Sequence, residues 1–101
     1  MKCVTDFGVY DVTVSTSTYS NNGNLAILLT SPTEGPFATL SVNLHKLPEG
    51  YAYVDTNNCP WAEEFINEYK LGEPTGGSAR SGYCIYPLYK FDLSKLQDGE
   101  V

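Results

Sequence analysis

Only one segment of the chain has the hydrophobic periodicity of an α-helix, and this limits the fold more than any other feature. After Asn58 the apolar residues form one stripe at helical spacing, made of Trp61, Ala62, Phe65, Ile66 and Tyr69. Pro60 falls in the first turn, where its missing N–H is tolerated, and Asn58 or Cys59 occupies the cap position. The helix is predicted to end at Lys70 and Gly72, and its stripe should pack across a sheet.

The segments before the helix have the patterns of β-strands. Tyr10, Val12 and Val14 alternate with polar residues, which predicts a strand with one buried face. The next apolar run is hydrophobic on both faces and is therefore predicted to be central. Turns rich in Asn, Gly and Pro separate these runs. Four strands are predicted before the helix: Tyr10 to Ser15, Leu25 to Thr30, Phe37 to Leu44 and Tyr51 to Thr56.

After the helix we expect a loop and one more strand. The glycine-rich segment Glu73–Gly82 is predicted to be the loop, and Tyr83 to Phe91 the fifth strand, with Pro87 at an edge or on a bulge. Asp92 is expected to cap a short turn from Leu93 to Gln97, followed by a polar tail that frays. The predicted fold is α+β with the order β-β-β-β-α-β: a five-stranded antiparallel sheet with one helix on one face, in a single domain over residues 1–101.

Charge excludes several functions. Six Lys and Arg against twelve Asp and Glu give a net charge of −6, which disfavours direct binding to nucleic acid or to an anionic membrane surface. The longest apolar run, Leu25–Leu29, is far shorter than the roughly 20 residues that span a bilayer. The N-terminal segment lacks the apolar stretch of a secretory signal, so we expect a cytoplasmic location.

The cysteines indicate neither a metal nor a cofactor. The chain has three, Cys3, Cys59 and Cys84, with no C-x-x-C pair, so a zinc site would need His45 and residues from three separate segments. An odd number leaves at least one thiol unpaired, which fits a reducing compartment. Cys84 lies among apolar residues, where a thiol usually acts as a small hydrophobe rather than a nucleophile.

Negative charge is concentrated around the helix, because residues 55–73 contain five acidic residues and only one basic residue, Lys70. The acidic residues are Asp55, Glu63, Glu64, Glu68 and Glu73. No His lies near them in sequence, so acid–base or metal chemistry is disfavoured. Two interpretations remain: a solvated helix face, or an acidic surface that attracts a basic protein.

The glycine-rich segment and the tyrosines give further candidate residues. The segment has no Lys after its glycines and follows a helix, so it is not a phosphate-binding P-loop. It is either a plain connection or a mobile binding loop in which Arg80 is the charged donor. Strand alternation places Tyr86 with Cys84 on the opposite face from Tyr83, so at least one aromatic face should lie outside the main core and be available for an interface.

Four segments carry a resemblance to a known family. They are Tyr53–Trp61, Phe65-Ile66, Leu71-Gly72 and Tyr86–Phe91. Together they resemble a family of small acidic bacterial proteins known mainly as a domain of unknown function. The resemblance implies an association with conjugative elements and phages, whose small acidic proteins often inhibit host immunity as anti-CRISPR or antirestriction proteins.

The leading hypothesis is a non-enzymatic inhibitor that occupies a basic surface of a CRISPR effector or nuclease in the cytoplasm of the bacterial host. The candidate contact residues are Asp55, Glu63, Glu64, Glu68, Glu73, Arg80, Tyr83 and Tyr86. A small ligand-binding or enzymatic domain that uses the loop of residues 72–82 is the first alternative, with a pocket that would join Arg80, His45 and Glu68. A structural accessory protein of conjugation, either a monomer or a homodimer through the fifth strand, is the second.

Overall fold

The computed structural model describes residues 1–96, which form nine strands, one α-helix and one 3-10 helix. The strands are β1 (Lys2–Thr5), β2 (Gly8–Asp11), β3 (Thr13–Thr18), β4 (Leu25–Ser31), β5 (Gly35–Thr39), β6 (Ser41–Val42), β7 (Tyr51–Val54), β8 (Gly72–Ser81) and β9 (Cys84–Phe91). The helix α1 spans Ala62–Glu68, and the 3-10 helix spans Leu93–Lys95. The α+β class is confirmed.

The strands form three antiparallel sheets, so the prediction of one five-stranded sheet is wrong. Their orders are β1-β2, β3-β4-β5 and β6-β7-β9-β8. The central position of β4 is confirmed. Leu40 explains the division, because its N–H donates to Ile27 O of β4 at 2.8 Å while its C=O accepts from Asp55 N at 2.7 Å. The predicted third strand therefore passes from one sheet to the next at Leu40, and it ends at Val42 rather than Leu44.

The N-terminal hairpin of β1 and β2 is absent from the sequence prediction. Its register pairs Lys2 with Asp11 and Thr5 with Gly8, so the turn consists of Asp6 and Phe7. The predicted first strand is split at Val12, because β2 pairs with β1 whereas β3 pairs with β4. Alternation continues through Val12, and only the change of partner marks the boundary.

The predicted loop Glu73–Gly82 is in fact strand β8, paired with β9 from Gly72↔Phe91 to Ser81↔Cys84. A bulge between Pro74 and Ser78 accommodates the glycines that suggested a loop. Within the bulge Thr75 donates from its hydroxyl to Leu88 O at 3.0 Å. The strand ends at a turn in which Gly82 has a φ of +63°, a conformation that favours glycine.

Pro87 lies in the part of β9 that pairs with β8 alone. The pairing of β7 with β9 extends only from Tyr51↔Lys90 to Tyr53↔Leu88. Pro87 therefore has no paired residue in β7, and its partner in β8, Ser78, adjoins the bulge. This is how a proline fits into a strand that is otherwise central.

The helix begins later than predicted. Its cap residue is Trp61, which makes no side-chain capping bond, instead of Asn58 or Cys59. Those two residues belong to a turn that Asp55 closes, since Asn58 N donates to Asp55 Oδ1 at 3.1 Å and Cys59 N to Asp55 O at 2.9 Å. The first helical residue is consequently Ala62.

The end of α1 is set by Lys70, whose φ is +53°, together with a 2.9 Å bond from Leu71 N to Ile66 O. Gly72 has a different role from the one predicted. A Cβ there would lie 2.8 Å from Lys90 O, so glycine allows β8 to approach β9 closely.

One buried cluster joins the helix to the sheets. The apolar stripe is confirmed, because Ala62, Phe65 and Ile66 are buried while Trp61 and Tyr69 pack partly buried against the cluster. The sheets contribute, among others, Cys3, Val14, Ile27, Leu29, Val54, Tyr89 and Phe91.

The chain after β9 returns to this cluster. Asp92 caps the 3-10 helix as predicted, accepting from Ser94 N at 3.1 Å, and Leu96 is fully buried. The last residue of the predicted turn, Gln97, and the polar tail lie outside the described residues.

Candidate functional site

A groove between α1 and β1 brings acidic and apolar side chains together. We call it the acidic groove; its volume is about 630 Å³, and it is lined by Lys2, Val4, Trp61, Glu64, Phe65, Asn67, Glu68 and Tyr69. Grooves of this size, within the roughly 300–1,000 Å³ of ligand pockets, accept a few side chains. Glu64 and Glu68 lie one helical turn apart on α1 and point to the same side.

Tyr69 fixes the distance between the two walls of the acidic groove. Its hydroxyl donates to Lys2 O at 3.1 Å and accepts from Lys2 N at 2.6 Å. The hydroxyl thus satisfies the N–H and the C=O of Lys2 at the outer edge of β1, as a neighbouring strand would. The helix and the N-terminal hairpin are joined there by one side chain.

The charge of the acidic groove is negative because its lysine is already paired. Lys2 Nζ lies 2.6 Å from Asp11 Oδ1 across the hairpin, and this hydrogen bond and its charge raise the pKa of Lys2 and lower the pKa of Asp11. Among residues 1–96 neither Glu64 nor Glu68 forms a salt bridge. Two carboxylates therefore remain uncompensated at this surface.

Apolar side chains continue the acidic groove onto the N-terminal hairpin. Val4 is 62% exposed, and its cross-strand partner Val9 is exposed to a similar degree on the same face. Phe7 in the turn is 89% exposed. On the opposite face Cys3 is buried and Tyr10 stacks at 5.2 Å on Phe37, which holds the hairpin to the body of the protein.

The other predicted acidic contacts lie elsewhere. Glu63 is half-buried and accepts a 2.7 Å bond from the Tyr89 hydroxyl, so it belongs to the helix–sheet packing rather than to a solvated face. Burial, together with this bond to Glu63, raises the pKa of Tyr89 above its usual range. Asp55 closes the turn before α1. Glu73 lies on β8, opposite Lys90 of β9.

Arg80 and Tyr83 lie together at the end of the β8–β9 hairpin. Arg80 is exposed and pairs in register with Ile85, which is 55% exposed. Tyr83 occupies the turn and is fully exposed. Tyr86 is only 8% exposed; with Tyr53 it is buried outside the main core cluster. The sequence predicted these two tyrosines on opposite faces of one strand, whereas in the structure Tyr83 lies in the turn before β9 and only Tyr86 belongs to the strand.

The pocket required by the enzymatic alternative is not formed by the acidic groove. Glu68 lines this groove, but neither Arg80 nor His45 does. A larger groove of about 1050 Å³ lies at the C-terminal end of α1, and its rim carries both signs of charge. Its charged residues are Glu49, Glu73, Asp92, Lys70, Lys90 and Lys95. Mixed charge of this kind does not select a ligand of one sign.

The chemistry of the remaining groups is limited. Within residues 1–96 no three His, Cys, Asp or Glu side chains are arranged to hold a metal ion. All three cysteines are free, and burial raises the pKa of Cys3 and of Cys59 to about 11. In the same part of the chain, no helix has the length and apolar character needed to cross a membrane.

The wall of the acidic groove that β1 provides is not among the features predicted from the sequence. Val4 and Lys2 are not among the predicted contact residues, and Tyr69 is predicted only as a member of the apolar stripe. A signal was available, because Cys3-Val4-Thr5 and Val9-Tyr10 are strand-forming runs separated by a turn that ends in Gly8.

Comparison with known proteins gives one match. A family model described as Domain of unknown function (DUF4313) matches residues 13–99. No curated protein and no solved structure shows a significant match to the chain. The matched region includes α1, β8 and β9, whereas the hairpin of β1 and β2 precedes it. Because the match extends over most of its length, the chain belongs to the DUF4313 family.

Proposed function

We propose that this chain is a non-catalytic binding protein whose acidic groove engages a basic segment of a protein partner. One observation carries the proposal: Glu64 and Glu68, which form no salt bridge with any described residue, lie in one groove with exposed Val4 and the half-buried ring of Trp61. Trp is among the residue types enriched in the hot spots of interfaces, and Arg is enriched there too.

The composition of the acidic groove favours arginine on the partner. A guanidinium group forms bidentate bonds with carboxylates and also stacks on an aromatic face, whereas an ammonium group is a more strongly hydrated point charge. Trp61 offers the ring with the strongest cation–π attraction. Val4 and Val9 provide contacts for an apolar residue beside the arginine.

We propose a bacterial defence nuclease or CRISPR effector in the bacterial cytoplasm as the partner, with a mobile genetic element as the source of the chain. The net charge of −6 supports this, because acidic proteins are steered toward the cationic grooves in which such enzymes hold nucleic acid. The family resemblance of the sequence supports the same class. The chain would then act by occupying the cationic groove of the partner and would not itself contact nucleic acid.

The test is affinity capture with a matched pair of charge variants. The immobilised wild type, the groove variant Glu64→Lys/Glu68→Lys and the control Glu34→Lys/Glu49→Lys are incubated with bacterial lysate at low salt. Both variants change the net charge equally, and Glu34 and Glu49 are exposed and lie outside the acidic groove. Thermal unfolding of all three proteins establishes that the variants fold.

We expect a nuclease or other nucleic-acid-binding protein to be retained by the wild type and the control but not by the groove variant. Retention should fall as salt rises, since the attraction is between exposed charges. The purified partner should then lose nuclease activity when the wild-type chain is added. Equal retention by all three proteins, or retention of no such protein, would contradict the proposal.

A further inference from the structure

The end of the β8–β9 hairpin is an exposed element with a composition complementary to the acidic groove. We call residues Arg80 to Ile85 the hairpin tip. Arg80 is its charged residue, and the exposed side chains of Tyr83 and Ile85 lie beside it. One cation with two apolar side chains is the reverse of the acidic groove, which has two carboxylates beside an aromatic ring and a valine.

The hairpin tip does not fill the acidic groove of its own chain. Tyr83 is fully exposed and Ile85 more than half exposed, and no residue of the hairpin tip lines that groove. A hairpin tip bound in the acidic groove would bury the apolar parts of Tyr83 and Ile85. The complementary contact is therefore available only between two molecules.

The outer edge of β8 is a poorer site for self-association. Edge strands pair with other chains when they are long and regular, and proline and bulges prevent this. The first half of β8 carries Pro74 and the bulge before Ser78. Only a short stretch next to the hairpin tip remains regular, so side-chain contacts at the tip are favoured over strand pairing.

We propose that the chain forms a homodimer in which the hairpin tip of each copy enters the acidic groove of the other. Arg80 then lies between Glu64 and Glu68 of the second copy, and Tyr83 and Ile85 contact its Trp61 and Val4. In this proposal the exchange is reciprocal about a two-fold axis, so that the tip and the groove of each copy are both occupied and the assembly closes at two molecules. The interface is small, so the dimer is weak and its population depends on concentration.

The dimer affects the proposed function, because both use the acidic groove. The inference rests on the proposed function only in this respect. A partner arginine and the Arg80 of a second copy occupy the same place, so dimerisation competes with partner binding. Binding of the partner is then expected to dissociate the dimer, and the free chain is held in an inactive form at high concentration.

The test is sedimentation equilibrium of the wild type and charge variants over a range of concentrations at low salt. Arg80→Glu should weaken dimerisation by roughly tenfold or more, because it places a carboxylate against two others. The groove variant Glu64→Lys/Glu68→Lys should weaken it similarly. Combining the three substitutions restores opposite charges and should restore the dimer, whereas the control Lys90→Glu, on β9 outside the tip, should leave it unchanged.

A wild type that remains monomeric at every concentration would overturn the proposal, as would a dimer that Arg80→Glu does not weaken. Failure here is distinguishable from failure of the proposed function. The monomeric Arg80→Glu variant keeps an intact groove, so it should still capture the partner from lysate. Capture by this variant without any wild-type dimer would refute the dimer alone.

Discussion

The two hairpins β1–β2 and β8–β9 have turns of the same length and are attached to the protein in different ways. Each turn has two residues and exposes one aromatic ring, Phe7 or Tyr83. The β1–β2 hairpin forms a separate two-stranded sheet held by Cys3, by stacking on Phe37 and by the hydroxyl of Tyr69. The β8–β9 hairpin continues into the four-stranded sheet.

The difference indicates how each hairpin contributes to recognition. The β8–β9 hairpin is anchored at its base by core residues, among them Tyr89 and Phe91. The N-terminal hairpin forms its own two-stranded sheet, and the two bonds of the Tyr69 hydroxyl to Lys2 set its distance from α1. The family match includes the β8–β9 hairpin and begins after the N-terminal hairpin. The helical wall of the acidic groove therefore lies within the matched region, and the β1 wall lies outside it.

The largest expected effect comes from removing the anchor of the β8–β9 hairpin. Phe91 is buried in the core beside Tyr89, with ring centroids 5.9 Å apart. Phe91→Ala should lower the free energy of unfolding by about 3–5 kcal/mol, because it removes a large buried side chain and leaves a cavity. Urea denaturation measures this. A loss under about 1 kcal/mol would mean that the hairpin is not held by the core.

A smaller effect is expected at the attachment of the N-terminal hairpin. Tyr69→Phe removes both bonds to Lys2, and it should lower the free energy of unfolding by about 1–3 kcal/mol. Hydrogen exchange should accelerate in β1 and β2 while β9 keeps its protection. Tyr83→Phe removes a fully exposed hydroxyl and serves as the control. Unchanged exchange in β1 would contradict the attachment through Tyr69.

Thiol reactivity compares the two hairpins without mutation. The pKa of about 11 at Cys3 and Cys59 keeps both protonated at pH 8, and both are buried. Cys84, at the start of β9, is half-exposed. A thiol reagent should therefore modify one cysteine rapidly in the native protein and all three after unfolding. Rapid modification of Cys3 would show that the N-terminal hairpin opens readily.

The smallest effect is expected at the exposed pair of Lys2 and Asp11. Asp11→Asn should leave the unfolding midpoint nearly unchanged at neutral pH, because exposed ion pairs contribute little. The lowered pKa of Asp11 stabilises the folded state above the unfolded pKa, and this contribution is lost as pH falls through the folded pKa. Midpoints of both proteins should converge at low pH. A large difference at neutral pH would assign the pair a major structural role.

The elements with a regular spacing of apolar residues were predicted from the sequence. The stripe through Phe65 and Ile66 and the central strand β4 follow from the spacing of apolar residues, and both are confirmed. The β8 strand was missed because its glycines and proline suit a loop as well as a bulge. The division at Leu40 was not predictable, since it depends on which strands its backbone groups meet in three dimensions.

The candidate site was predictable only in part. Charge counting selected five acidic residues around the helix, and two of them, Glu64 and Glu68, line the acidic groove. Glu63 differs from its neighbour Glu64 only in orientation, which places it against Tyr89. The β1 wall comes from a distant part of the sequence through a tertiary contact of Tyr69, which local patterns do not report.

The single tryptophan allows the most direct test of the central claim, that the acidic groove is the partner-binding surface. Trp61 lines this groove, and the chain has no other tryptophan, so 5-fluorotryptophan labelling gives one fluorine resonance there. Adding the captured partner should shift or broaden that resonance in the wild type and in Glu34→Lys/Glu49→Lys, but not in Glu64→Lys/Glu68→Lys. An unchanged resonance while the partner binds would place the interface elsewhere and contradict the account.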